Sequence, residues 1–218
     1  MKTLIFDLDG TILDTLLDLQ KAVNHGLNYY HLPEMGLDYV RKAIGNGTTV
    51  LIQRCTPKDI SDEQRQLVFN EFKSYYLDHY ADYTKPYPGI KEMLTRLKGK
   101  VRLAVVSNKD HDLTNKIINK EFPSLFEIIQ GSYLDHPKKP DPYLINKIIK
   151  DYSLNKGECL YIGDTNVDKE SALNVGLKYL LVNYGYRTKI ELEKMCPEDT
   201  TISTVDELYK VILKWVNL

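Results

Sequence analysis

Lys2-Thr3-Leu4-Ile5-Phe6-Asp7-Leu8-Asp9-Gly10-Thr11 is the stretch from which the fold is read. Its apolar, β-branched and aromatic start is the pattern of a short buried strand. The strand runs into two carboxylates one residue apart, then into a glycine that permits a sharp turn. In an α/β sheet, ligands sit in the crevice beyond the carboxyl ends of the strands. Asp7 is expected at such an end and Asp9 just past it. Two ionised acids about 4 Å apart repel by roughly 4 kcal/mol at an effective dielectric near 20. Either a cation offsets that repulsion or one acid holds a proton. Asp-x-Asp-Gly also suits a plain turn. It does not suit an EF-hand loop, which needs further oxygen ligands and a closing glutamate where Ile12 and Leu13 follow.

Outward from this strand the periodicity changes. Leu16, Leu19, Val23, Leu27 and Tyr30 recur at helical spacing, with Asp18, Gln20, Lys21 and Asn24 between them. Pro33, after His31-Leu32, is expected to end that helix. Shorter helices over 37–44 and 49–55 flank Gly45-Asn46-Gly47-Thr48. Ser61, with Gln64 three residues on, opens a longer helix reaching about residue 80. Pro86, Pro88 and Gly89 stiffen a return crossing over 82–89. Strands over 101–106, 127–130, 159–162 and 179–182 then alternate with helices over 90–97, 112–120, 143–152, 169–175 and 206–216. Such alternation means right-handed βαβ units on a parallel sheet. The expected architecture is α/β: a Rossmann-like parallel sheet core from 1–14 and 83–218, with an all-α unit over 15–82 inserted.

The 218 residues are 43% hydrophobic and 27% charged, the balance of an ordinary globular protein rather than a disordered one. Lys+Arg 29 against Asp+Glu 30 predicts no general attraction to nucleic acid or membrane. The first residues fit neither a signal peptide nor a membrane span. Cys55, Cys159 and Cys196 are odd in number and far apart, which fits reduced, buried thiols in a cytoplasmic protein better than a metal site. Nothing in the sequence sets an oligomeric state.

Three predicted strands end in polar clusters: Asp7 and Asp9; Ser107-Asn108-Lys109; and Gly163-Asp164-Thr165-Asn166-Val167-Asp168. In a parallel sheet these ends point the same way and converge on one crevice. The loop Pro137-Lys138-Lys139-Pro140-Asp141-Pro142 can bring a lysine to the same rim. Asp7, Asp9, Asp164 and Asp168 are oxygen donors without a histidine or cysteine partner, which favours Mg²⁺. Ser107 and Asn108 offer a hydroxyl, an amide and backbone N–H groups at a helix start, where oxyanions bind. Lys139 adds a mobile point charge. Each cluster also has a plainer role: a helix cap at 107–108, a turn at 163–165, a solvated lysine pair at 138–139. Together they describe a phosphoryl-transfer site. Asp7, at the strand end, suits a nucleophile that forms an aspartyl phosphate, and Asp9 suits a general acid and then base.

With these residues in hand, the chain resembles the haloacid dehalogenase superfamily of phosphatases over its whole length. Asp-Leu-Asp-Gly-Thr at 7–11 is similar to the first motif and Ser107 to the second. Lys139 in Lys-Pro-Asp-Pro is similar to the third, and Gly163-Asp164-Thr165 with Asp168 to the fourth. The resemblance implies that Asp7 is nucleophile and Mg²⁺ ligand, and that Asp9 is acid/base with its carbonyl on the metal. It implies that Ser107 and Asn108 hold phosphate, with Thr11 beside them orienting Asp9. Lys139 then neutralises charge, Asp164 binds Mg²⁺ and Asp168 supports it. The helical insertion resembles the superfamily's first cap class, a lid over the crevice. Ile44-Gly45-Asn46-Gly47, Pro86-Tyr87-Pro88-Gly89 and Asn183-Tyr184-Gly185-Tyr186 resemble its phosphoglycolate phosphatase branch. The substrate implied is a small phosphorylated metabolite, 2-phosphoglycolate first. Pyrophosphatases and sugar-phosphate phosphatases share several of these features. A β-phosphoglucomutase-like mutase and a non-enzymatic phosphoryl-receiver domain fit less well. Asn46, Thr48 and Arg54, with Lys109 from the core, are the candidate substrate readers. Arg54 or Lys109 would meet a carboxylate, although Arg54 equally suits an exposed helix position. Tyr184 and Tyr186 read as packing or rim residues.

Overall fold

The computed structural model describes residues 1–217. Residues 14–85 form one compact unit and the segments on either side of them form the other. In chain order the elements are β1 (Thr3–Phe6), β2 (Leu13–Asp14), α1 (Leu16–Tyr29), α2 (Leu37–Ala43), α3 (Thr48–Cys55), α4 (Asp62–His79) and β3 (Lys85–Pro86). There follow α5 (Ile90–Leu97), β4 (Arg102–Asp110), α6 (His111–Glu121), β5 (Ile128–Ser132), α7 (Tyr143–Asp151) and β6 (Cys159–Gly163). The chain closes with α8 (Asn166–Val175), β7 (Lys178–Val182), α9 (Lys189–Met195), β8 (Thr201–Ile202) and α10 (Val205–Val216).

The α/β unit is built on a six-stranded sheet in the order β5-β4-β1-β6-β7-β8, with every neighbouring pair parallel. The chain grows from β1 through β4 to β5 on one side, then returns to β6 on the other. β1 therefore lies at the topological switch, where a crevice opens beyond the strand ends. All four β1 residues are buried, because helices cover both faces of a parallel sheet. Ile5, Val106, Ile128 and Tyr161 share a core with Leu144 and Ile148 of α7 and Ala172 of α8. Full burial of such side chains stabilises the fold by about 1.5–3 kcal/mol each.

Three elements depart from the sequence reading in the sheet unit's later half: β4, α9 and β8. β4 does not stop at Val106 but runs to Asp110, and its register with β5 shifts there. Four residues of β4 advance against two of β5, from Val106↔Gln130 to Asp110↔Ser132. A bulge of this kind bends a strand and re-aims its side chains. Asp110, accepting from the Asp112 and Leu113 N–H groups, caps α6. Ser107 and Asn108 are thus strand residues, not a helix start. α9 and β8 escape the hydrophobic pattern, although Thr188 and Glu191 form a capping box that marks the start of α9.

In the helical unit, α1 packs on α4, burying Leu19, Val23 and Leu27 on the first and Val68, Phe72 and Tyr76 on the second. α1 ends without help from Pro33. His31 takes a left-handed φ of 55°, its N–H donates to Asn28 O and that of Leu32 donates to Leu27 O, a Schellman closure. Asp18, spaced among the polar positions of α1, is buried. Its carboxylate accepts from Tyr83 N at 3.1 Å and from Thr84 N and Oγ1, each at 2.7 Å. One carboxylate therefore fastens the end of the unit to its beginning. Ser61 caps α4 by accepting from Gln64 N. No helix among the described residues is long and apolar enough to cross a membrane. Asp18→Ala is expected to cost roughly 2–3 kcal/mol by stranding those donors. Urea unfolding measures it, and a loss within experimental error of zero would contradict the role given to Asp18.

Candidate active site

Phe6 is in register with Val105 on one side and Ile162 on the other. Continuing that register sets Asp7 beside Val106 and Gly163, one residue short of Ser107 and Asp164. The Asp7 N–H donates to Ile162 O at 2.8 Å, so the nucleophile candidate is still held by sheet bonding. Lys139 enters from the loop after β5 and is almost wholly buried. Its Nζ lies 2.8 Å from Asp7 Oδ1, 2.8 Å from Asp168 Oδ1 and 2.9 Å from the Tyr161 hydroxyl. An ammonium has three protons, and these three partners take them all. Burial works against the Lys139 charge, but Asp168 and Asp7 outweigh it and hold the ammonium well above the usual lysine range.

Asp164 is fully buried. Its Oδ1 accepts from Thr11 Oγ1 at 3.2 Å and its Oδ2 from Tyr186 N at 2.8 Å. Burial pushes its carboxyl well up, and Asp168 and Asp7 push it further. Burial likewise raises Asp7 to about 7, with Lys139 pulling back and Asp168 adding to the rise. Asp168 Oδ2 accepts from Asp164 N, Thr165 N and Thr165 Oγ1 at 3.2, 3.1 and 2.9 Å. With Lys139 and the Tyr161 hydroxyl on Oδ1, the lone pairs of Asp168 are already committed. It braces Lys139 and the loop at 164–165 more directly than it offers itself to a ligand.

Gly10 makes this crowding possible. Its φ is +89°, and a Cβ there would stand 2.4 Å from Asp164 Oδ2. A Cβ on Gly185 would fall 1.8 Å from Gly10 O, so the segment 183–187 packs hard against the β1 turn. Tyr184 donates its hydroxyl to Thr11 O at 3.2 Å.

Asp9 pairs with a second lysine. Lys109 Nζ is 2.9 Å from Asp9 Oδ1 and 3.2 Å from Oδ2. The bulge in β4 turns the side chain of Lys109, a candidate substrate reader, onto Asp9. The Thr11 hydroxyl donates to Asp164. Asn108 is tied to the lysine loop. Its Nδ2 donates to Lys139 O at 2.9 Å and its Oδ1 accepts from Lys139 N at 2.7 Å. The amide clamps the lysine's backbone at both ends. The Ser107 hydroxyl accepts from Lys109 N at 3.2 Å.

In the helical unit, Arg54 donates to Ala43 O at 2.8 Å and to Asn46 Oδ1 at 3.0 Å. Two candidate readers therefore meet, and Arg54 braces the Gly45-Asn46-Gly47 turn. Thr48 is the first residue of α3. Arg54 also lines a groove of 790 Å³ together with Lys58 and Arg65.

Sequence reasoning missed Tyr161 and the Tyr186 N–H. Tyr161 reads as one apolar position in a strand, yet a buried phenol needs a partner, and that need was the available signal. The Tyr186 contact is made by backbone and leaves no trace in residue type. The three cysteines are free and buried, and burial pushes the Cys55 thiol up to about 11, which leaves it no nucleophilic thiolate.

Asp7, Asp164 and Asp168 each bring a carboxylate oxygen within 4.8 Å of the others. Lys139 bonds two of these three acids, and the Arg187 charge lowers the Asp164 value. An all-oxygen set with excess negative charge fits a hard divalent cation. Asp7 and Asp164 are the members best able to ligate it, since Asp168 is committed elsewhere.

A parallel sheet with two acids past its first strand, a buried lysine and a second acid pair defines a hydrolase of the haloacid dehalogenase kind. Residues 4–182 match the family model described as haloacid dehalogenase-like hydrolase, and the chain belongs to that family. Within it, the chain is similar to phosphoglycolate phosphatases. It is 34% identical over 214 residues to the phosphoglycolate phosphatase of Aquifex aeolicus, covering 97% of each. With that of Caulobacter vibrioides it shares 32% over 189 residues, 84% of this chain and 80% of the other. A crystal structure from Lactobacillus delbrueckii subsp. bulgaricus, assigned as a phosphoglycolate phosphatase, matches with a TM-score of 0.90 at 29% identity. The match covers 97% of this chain and 99% of that one.

The raised Asp7 value has a consequence for stability. A carboxyl near 7 in the fold, against 3.8 as a free group, favours the folded state at low pH and loses that advantage as pH rises through 7. Metal ligands must be deprotonated. In EDTA the melting temperature is expected to fall between about pH 5.5 and about pH 8, and saturating Mg²⁺ to restore more at the higher pH. Equal Mg²⁺ shifts at both values would contradict ligation by Asp7.

Proposed function

We propose that this enzyme is a Mg²⁺-dependent phosphatase that hydrolyses a small phosphorylated metabolite, 2-phosphoglycolate first, through an aspartyl phosphate on Asp7. The observation that carries this reading is the buried Lys139 bonded to both Asp7 and Asp168, with Asp164 in the same oxygen cluster. The similarity to the phosphoglycolate phosphatases of Aquifex aeolicus and Caulobacter vibrioides supports the substrate.

Asp7 presents a carboxylate oxygen at the strand end, held by Lys139 on one side. That oxygen attacks phosphorus and the bond to the leaving oxygen breaks. Asp9 gives its proton to the leaving oxygen. Asp9 then takes a proton from a water whose oxygen attacks the same phosphorus, releasing Asp7. The Lys139 ammonium offsets charge on Asp7 and on the phosphoryl oxygens. Ser107, inside β4 one residue past the Val106 level, is the side chain assigned to the phosphate. Mg²⁺, held by Asp7, Asp164 and the Asp9 carbonyl, would supply Lewis-acid charge neutralisation for the phosphoryl group. Selection among leaving groups is assigned to the helical unit, where Arg54 and Asn46 are joined.

The test is phosphate release from 2-phosphoglycolate, pyrophosphate and sugar phosphates, with Mg²⁺ and with EDTA. Release is expected only with the metal and with the highest kcat/KM for 2-phosphoglycolate. A different best substrate would replace that assignment, and undiminished release in EDTA would sink the metal-dependent mechanism. Asp7→Asn is expected to lower kcat by at least about 10³-fold, since nucleophile loss removes the covalent route. A variant retaining a tenth of the activity would show that Asp7 is not the nucleophile.

A further inference from the structure

Asp7 and Asp9 are two residues apart, yet each has its own lysine. Lys139 reaches Asp7 from the loop after β5, and Lys109 reaches Asp9 from the bulged end of β4. Lys109 is 5% exposed. We propose that Lys109 is a positioning residue that sets the plane of the Asp9 carboxyl for proton transfer, and that it does not read the substrate. The inference rests on the acid/base reading of Asp9 given above.

Three features support it. A carboxyl group turns freely about its last bond, where the torsional wells are broad and roughly two-fold. A grip on both oxygens, at 2.9 and 3.2 Å, fixes that rotation. The lysine's own backbone is pinned on both sides. Its N–H donates to Ser107 Oγ at 3.2 Å, and its carbonyl accepts from Ser132 Oγ at 3.3 Å and Thr114 Oγ1 at 3.4 Å. Lastly, a buried ammonium is stripped of water and is held there by its charge partner. Turning it to a substrate carboxylate would break its short pair with Asp9.

The grip is compatible with both protonation states. When Asp9 carries its proton on one oxygen, the other still accepts from Nζ. The proton passes to the leaving oxygen as the phosphorus–oxygen bond breaks. Water returns a proton to Asp9 as its oxygen attacks the aspartyl phosphate and frees the Asp7 carboxylate. Lys109 neither gains nor loses a proton in the cycle.

The experiment is a double-mutant cycle on the full-length chain with Mg²⁺, using Lys109→Met, Asp9→Asn and the double variant against 2-phosphoglycolate. Lys109→Met is expected to lower kcat by roughly 10- to 100-fold, the scale of a misaligned reacting group, with KM nearly unchanged. In the Asp9→Asn background the same change is expected to cost less than about threefold, because groups that act as a unit are not additive. Lys109→Arg, whose fork also reaches two oxygens, is expected to recover most of the lost kcat. Additive losses, or a raised KM with kcat intact, would overturn the inference while leaving the phosphatase reading standing. A wild-type chain that releases no phosphate from any of the substrates would overturn both. Thermal melting checks folding, and Lys109→Gln takes the place of Lys109→Met if the latter does not fold.

Discussion

One buried ammonium organises the α/β unit's working end. Lys139 spends its three protons on Asp7, Asp168 and Tyr161, so its head is as fixed as any core side chain. Removing a lysine from water costs several kcal/mol, recovered only where opposite charge and hydrogen bonds meet it in good geometry. Here two carboxylates and a phenol do so. The carboxylates need the lysine in turn, because without it three acids within 4.8 Å of one another would stand unbalanced. The surrounding structure follows from keeping that head in place. Asn108 clamps the lysine's backbone at both ends, and Asp168 is locked by the donors at 164 and 165.

The sheet makes such a cluster possible at modest strain. β1 at the switch point puts Asp7 between the ends of β4 and β6, so three sequence-distant loops meet without a long excursion by any of them. At the bulge in β4, two neighbouring residues take separate tasks. Asn108 turns towards the Lys139 backbone, and Lys109 turns onto Asp9. The repulsion expected between Asp7 and Asp9 is resolved by two separate acid–lysine pairs, one lysine coming from the loop after β5 and the other from the bulged end of β4.

Much of the architecture was legible from residue order. Strand and helix alternation after Ile90 predicts the parallel sheet, and α5 spans the predicted residues 90–97. The helical stretch after β1 reads correctly because α1 and α4 bury apolar stripes of helical period. The misses share a cause. β4 past Val106 continues through Ser107-Asn108-Lys109-Asp110, polar residues whose burial depends on partners far along the chain. Asp18 looks like a solvent position in α1, and only Tyr83 and Thr84, 65 and 66 residues away, make it an interior one. α9 and β8 are too short to show a period.

For the site, the residue types were decided by the sequence. Four aspartates, a serine, an asparagine and two lysines at strand ends specify an oxygen-rich, charge-balanced crevice, because parallel strands place their carboxyl ends on one side. That Lys109 serves Asp9 was decided by tertiary structure alone. So were the Thr11 bond to Asp164, the Asn108 clamp on Lys139 and the part played by Tyr161. Hydrogen-bond partners are chosen by distances of a few ångströms between atoms as far as 153 residues apart for Thr11 and Asp164, and 173 for Tyr184 and Thr11, and no local pattern of residue types carries that information.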